Sequence, residues 1–145
     1  MTSKRKGETG AENAPASPLD AVRAAREAAL DAARPQAAAK RHAQGRLTAR
    51  ESVDAFLDAG SFVEIGRVAK PAREDMAGAS DGVVMGHGLA HGRPVAVMAY
   101  DYTVHAGTQG YVNHLKTDRI YALAAANRWP VVSWLEGGGA RPHDF

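Results

Sequence analysis

The 145-residue chain contains no cysteine. That excludes disulfides, thiolate zinc sites and a cysteine nucleophile. No apolar run approaches the ~20 residues that cross a bilayer. The lysines near the N-terminus have no apolar segment behind them, so the pattern of a secretory signal is missing. The expectation is a soluble, cytoplasmic protein with no membrane contact. Neither sign of charge dominates, since 18 Lys and Arg face 16 Asp and Glu. A net +2 gives no strong field for nucleic acid. Metal-ligand spacing is lacking as well. His87 and His91 are four apart on a strand-like stretch, and at about 3.3 Å per residue they stand too far apart to share one ion. Ser133 lies in "VVSWL", outside any G-x-S-x-G elbow.

What remains is the composition of a globular chain, 45% hydrophobic and 23% charged, with length for one domain. Three stretches divide it. Residues 1–18 are polar and rich in Gly, Ser, Pro and charge, which predicts a disordered tail. Residues 19–44 are alanine-rich helix material. Pro35 interrupts them, so two pieces or a kink near Arg34 are expected. Their apolar face is mostly alanine and buries little area, so it should lean on another surface. Arg34, Lys40, Arg41, Arg46 and Arg50 follow one another without an acidic residue. That run reads as a solvated helix face or, alternatively, a basic patch.

Residues 45–145 form the folded part. Thr48 and Glu51 make a capping box, with Val53, Phe56 and Leu57 at helical spacing and Gly60 as terminator. A strand is expected over 62–69, then a loop over 70–80. Strands over 82–90 and 94–101 form a hairpin closed at "HGRP", without the tight Asn-Gly signal. "YVNHLKTDRIYALAAANRW" predicts a helix with Val112, Leu115, Ile120, Leu123 and Ala124 toward the core. "VVSWL" is expected to be a short buried strand. The order predicts an α/β layered architecture with a strand-to-turn site at its end.

Two glycine loops carry the candidate chemistry. The turn after "VVSWLE" runs Gly137-Gly138-Gly139-Ala140-Arg141 and fits neither G-x-G-x-x-G nor the Walker spacing. Adjacent N–H groups there would serve as an oxyanion hole or a phosphate cradle, or the stretch is a plain turn. "HAGTQG" enters the long helix and offers Gly107, Thr108, Gln109 and Gly110. Lys116, on that helix, could meet a phosphate, but a lone surface lysine is usually just solvated.

Taken together, "RHAQGRLTARESVDAFLDAGSFVEIG", "DGVVMGHGLAHGRPVAVMAYDYTVHAGTQG" and "PVVSWLEGGGAR" resemble the N-terminal half of a carboxyltransferase (beta) subunit of biotin-dependent acyl-CoA carboxylases, from about Arg41 to Arg141. The resemblance implies a crotonase-like fold of repeated β-β-α units. It implies transfer of CO2 from carboxybiotin to the α-carbon of an acyl-CoA. It assigns Gly138 and Gly139 as backbone oxyanion donors, followed by Ala140 and Arg141. Gly107, Thr108, Gly110 and Lys116 fall on the acyl-CoA side with Ala140 and Arg141. Gly137 stands where the family has serine, and Ala106, Thr108 and Gln109 also depart from its pattern. The lack of cysteine favours the propionyl-type branch over the one with a zinc ribbon. Implied partners are acyl-CoA and a biotin carboxyl carrier or biotin carboxylase subunit, in a homo-oligomer, with no covalently bound cofactor. The family's second, homologous half is not in this sequence. The expectation is therefore a truncated piece, inactive alone, or alternatively a short assembly or acyl-CoA-binding module.

Overall fold

A computed structural model describes residues 17–144. The expected tail, 1–18, lies outside these residues except for its last two. Pro18 already opens helix α1 (Pro18–Ala28), whose N-cap Ser17 accepts from the N–H of Asp20. Pro35 sits in the first turn of α2 (Pro35–Ala43), where its missing N–H costs nothing. A 3-10 turn over Asp31–Ala33 joins the two helices.

Helix α3 (Ala49–Phe56) carries the complete capping box: Thr48 Oγ1 accepts from Glu51 N–H at 3.1 Å, and the Glu51 carboxylate accepts from Thr48 N–H at 2.8 Å. Strands β1 (Val63–Glu64), β2 (Val83–Ala90), β3 (Arg93–Tyr100) and β4 (Val131–Trp134) form one sheet in that order. The β1–β2 and β2–β3 pairs are antiparallel. Strand β4 lies parallel to β3 and is reached through α4 (Tyr111–Asn127), as a parallel neighbour requires.

The sheet is the middle of three layers. Val84, Val95, Val97 and Ala99 pack with Ala49, Val53 and Leu57 of the α3 side. Val83, Met85, Ala96 and Met98 pack with Ile120 and Ala124 of α4. Both faces of β2 and β3 are covered, which is why they read as continuous apolar runs.

Several expectations change. Strand β1 has two residues, not eight, because Gly66 takes φ +70° and turns the chain away after the Ile65 N–H donates to Met85 O. The hairpin turn is tight after all. His91 and Gly92 have φ of +50° and +73°, and Ala90 pairs Arg93. The histidine tolerates that conformation because the Asp58 carboxylate accepts from both turn N–H groups, at 3.0 and 2.8 Å. Leu135 lies past the end of β4 and is exposed. Beyond β3, β4 has no strand partner among the described residues.

Helix α4 is seated differently over its first half. Asn113, Lys116 and Thr117 are buried ahead of Ile120 and Ala124, while Leu115 is 50% exposed. The surface beneath presents the carbonyls of Ser80, Asp81 and Val83 and the Asp81 carboxylate, and these take donors. Polar partners decide the register there, not apolar spacing. Lys40 of the basic run is exposed and Arg46 mostly so, but all four arginines of the run are paired. Arg34 pairs with Asp101, Arg41 and Arg46 with Glu136, and Arg50 with Glu64, so the run clamps the helical segment to the sheet.

Candidate functional site

Strand β4 delivers Glu136 and the glycine turn against the loop that precedes α4. In that loop His105, Ala106 and Gly107 all take positive φ, at +49°, +51° and +65°. Two of the three are not glycine, a conformation costing on the order of 1 kcal/mol each. Donation from Thr108 N–H and Oγ1 to His105 O, at 3.0 and 2.7 Å, holds the loop in place.

The two loops meet backbone to backbone. Gly138 N–H donates to Ala106 O at 3.0 Å, Gln109 N–H to Gly139 O at 2.9 Å, and Arg141 N–H to Gln109 O at 2.7 Å. A Cβ on Gly107 would come within 2.1 Å of Glu136 O, and one on Gly137 within 2.3 Å of Gly107 O. Only glycine permits this approach.

The lacing redistributes the expected donors. Gly138 N–H is engaged by Ala106, so it does not face outward. The N–H groups of Gly139 and Ala140 have no acceptor among the described residues, and both residues are exposed. Two adjacent N–H groups on a fixed, exposed turn can hold one anionic or polarised oxygen.

The other nominated residues serve the framework. Thr108 uses its hydroxyl on His105 O. Gly110 is the N-cap of α4 and leaves room for Arg141 and Asp144, whose atoms lie where its Cβ would be. The Arg141 guanidinium is buried between Asp81 and Asp144, with Nε donating to Asp144 Oδ2 at 3.1 Å. Asp81 also accepts from Asn113 N–H at 2.6 Å, supplying the first turn of α4 with a carboxylate from outside the helix. Nothing local in the sequence marks Asp81 for this, since its partners lie 32 and 60 residues away.

Lys116 is not a surface residue. It is 6% exposed, and its ammonium donates to Ser80 O and Val83 O at 2.5 and 2.6 Å. Burial pushes its pKa down to about 8, against the opposing pull of Glu64 and Asp81. The folded value lies below the unfolded 10.5, so between the two the unfolded chain binds more protons and stability rises with pH. We expect the wild type to gain on the order of 2–4 kcal/mol over Lys116→Met between pH 7.5 and 10.5. Urea unfolding of both proteins at several pH values reads this, and parallel pH profiles would contradict it.

Of two cavities, one reaches the turn at Gly137. That one, of about 740 Å³, is lined by Lys40, Arg41, Arg46, Tyr102, Glu136 and Gly137 among others. The other, of about 800 Å³, lies between α1, the loop before β2 and His105. Among the described residues no three His, Asp or Glu side chains are placed to hold a metal. Nor is any helix among them long and apolar enough to cross a membrane.

The layered α/β fold that carries this turn is shared with known proteins. The carboxyl transferase domain family model matches residues 40–144, and the chain belongs to that family. It is 41% identical over 109 residues to the beta4 subunit of the biotin-dependent long-chain acyl-coenzyme A carboxylase of Mycobacterium tuberculosis, a match covering 75% of this chain and 21% of that one. It is 39% identical over 118 residues to the propionyl-CoA carboxylase beta chain of Saccharopolyspora erythraea, covering 78% and 22%. Among solved structures, a single-chain, multi-domain long-chain acyl-CoA carboxylase superposes with TM-score 0.79 at 45% identity over 87% of this chain and 14% of that one. Transcarboxylase 12S, a hexamer with hydrolysed methylmalonyl-coenzyme A bound, gives 0.75 at 32% identity over 85% and 25%. The fold class is therefore crotonase-like α/β. The chain spans about a fifth to a quarter of the length of the curated relatives it matches.

Proposed function

We propose that this chain forms the acyl-CoA side of the carboxyltransferase component of a biotin-dependent acyl-CoA carboxylase. The observation that carries the reading is the pair of adjacent unoccupied N–H groups at Gly139 and Ala140, on a turn whose Gly138 and Arg141 donors are internally engaged. When the α-proton of a thioester leaves, negative charge develops on the carbonyl oxygen, and fixed N–H donors lower that barrier. Carboxybiotin, carried on a partner subunit, supplies the CO2. The names of the relatives support acetyl- and propionyl-CoA as the substrate type. A biotin carrier or biotin carboxylase subunit and further copies of the carboxyltransferase are the partners, in the cytoplasm.

Because the chain spans only about a fifth to a quarter of these relatives, the reading separates binding from turnover. Titration of the 15N-labelled chain should move the Gly139 and Ala140 amide resonances with propionyl-CoA and not with free CoA, which has no carbonyl at that position. Mixed with carboxybiotin and propionyl-CoA, the chain alone should give no carboxylated product. Amides that stay put at saturating propionyl-CoA, or that respond equally to free CoA, count against the reading.

A further inference from the structure

Helix α2 has no part in that reading, yet its buried arginine reaches the turn. Arg41 is 9% exposed. Its Nη1 and Nη2 donate to Glu136 Oε1 and Oε2 at 2.6 Å each, while Nε and Nη2 donate to Leu47 O at 3.2 and 2.9 Å. The guanidinium also lies 5.6 Å from the centroid of the Tyr102 ring. A carbonyl and a ring thus fix the arginine, and the arginine fixes the carboxylate with a planar fork. From the solvent side Arg46 adds a second grip on Glu136 Oε1.

Glu136 immediately precedes Gly137. Its carbonyl is in contact with the Gly107 backbone, and Gly137 is wedged against Gly107 O. The residue is therefore held at both ends, its side chain by α2 and its backbone by the loop before α4. Two residues later Gly138 N–H meets Ala106 O, and the unoccupied donors of Gly139 and Ala140 follow. Only a few backbone dihedrals separate the anchored carboxylate from those donors, so a shift of the anchor is transmitted to their direction.

We propose that Arg41 is a positioning residue for the glycine turn. Through Glu136 it sets where the Gly139 and Ala140 N–H groups point, so helix α2 governs how strongly the turn holds a thioester oxygen. The last clause rests on the function proposed above; the positioning itself does not. The structure contains its own control. Arg50 grips Glu64 with the same bidentate geometry, at 2.9 and 2.8 Å and equally buried on the arginine side, but ties α3 to β1 away from the turn. If Arg41–Glu136 is merely a stabilising ion pair, disrupting it will do no more to the turn than disrupting Arg50–Glu64.

The test uses the full chain as wild type, Arg41→Lys, Glu136→Gln, Arg46→Ala and Glu64→Gln. Arg41→Lys keeps the charge and loses the fork. Arg46 is mostly exposed, so Arg46→Ala keeps the fold and loosens only the outer grip. Hydrogen exchange at the Gln109, Gly138 and Arg141 amides, which lace the two loops, reads the geometry of the turn. Exchange there should speed up about ten-fold or more in Arg41→Lys and Glu136→Gln, and a few-fold in Arg46→Ala, while β2 and β3 amides change less. The Kd for propionyl-CoA should rise in the same rank order, with Glu64→Gln near wild type on both readouts. Turn exchange that follows the β2 and β3 amides, or matches Glu64→Gln in all three variants, overturns the proposal. A wild type that exchanges as expected but does not bind propionyl-CoA overturns the functional reading and leaves the positioning of the turn established.

Discussion

Replacing Gly107 with alanine is expected to lower the unfolding free energy by about 2–4 kcal/mol and to release the glycine turn. Two costs add. The residue has φ +65°, where a Cβ meets its own backbone. The same Cβ would lie 2.1 Å from Glu136 O and 3.1 Å from Gly137 Cα. Neither atom is the end of a flexible side chain. Glu136 cannot step back easily, because Arg41 and Arg46 hold its carboxylate. Either the loop before α4 or the turn must move, and the bonds from Gly138 to Ala106 and from Gln109 to Gly139 go with it. Gly92→Ala isolates the first cost. Its φ is +73°, but nothing lies within 4 Å of the added Cβ, so about 1 kcal/mol is expected. Urea unfolding of the two variants side by side decides the matter: equal losses would mean that the contact with Glu136 is not tight.

What was legible in the sequence is what neighbours in sequence decide. The capping box at Thr48 and Glu51 is complete within four residues, and both of its bonds form. Strands β2 and β3 announce themselves because both faces are covered over most of their length, so each is largely apolar. The order of elements and the crotonase-like class followed from these runs together with the resemblance. The failures share a different cause. Leu115 suits a core by type and spacing, but the surface under α4 offers carbonyls and a carboxylate, and Asn113 and Lys116 answer them from 32 to 36 residues away. The arginine run looked like one feature because its members are consecutive in charge. Its arginines divide among three distant carboxylates, Arg41 reaching Glu136 across 95 residues and Arg34 reaching Asp101 across 67.

The glycine turn was legible as a turn, but not which of its N–H groups stays unoccupied. A string of glycines does not say where a neighbouring loop will place its acceptor, and Ala106 O takes the Gly138 N–H. His91-Gly92 shows the same limit in reverse. A histidine at positive φ is a poor turn signal until Asp58, 33 residues earlier in the chain, supplies a carboxylate to both N–H groups.

The second large effect is expected at Asp81. Its side chain is fully buried and serves two elements at once: one oxygen accepts from Asn113 N–H in the first turn of α4, the other from the Arg141 guanidinium just after the glycines. Asp81→Ala removes both acceptors and leaves an orphaned helix N–H and a guanidinium edge in a dry environment. Orphaned buried donors cost about 1–3 kcal/mol each, more when charged, but Asp144 still contacts Arg141 and limits the damage. The expected loss is about 3–4 kcal/mol, against under 0.5 kcal/mol for the exposed Asp54→Ala. Asp81→Asn, which keeps an oxygen for Asn113 and gives up the charge, should lie between them. Arg141→Met has its own cost, since it leaves Asp81 and Asp144 facing each other without a cation. Removing both members of the pair therefore hurts less than the sum of the single changes. The double variant Asp81→Ala/Arg141→Met should recover about 1–3 kcal/mol relative to additivity in urea unfolding. Hydrogen exchange at His114, whose N–H closes the first turn of α4 on Gly110 O, should accelerate in Asp81→Ala more than in Asp81→Asn. Additive losses, or an Asp81→Ala protein as stable as Asp54→Ala, would show that the carboxylate neither caps the helix nor anchors Arg141.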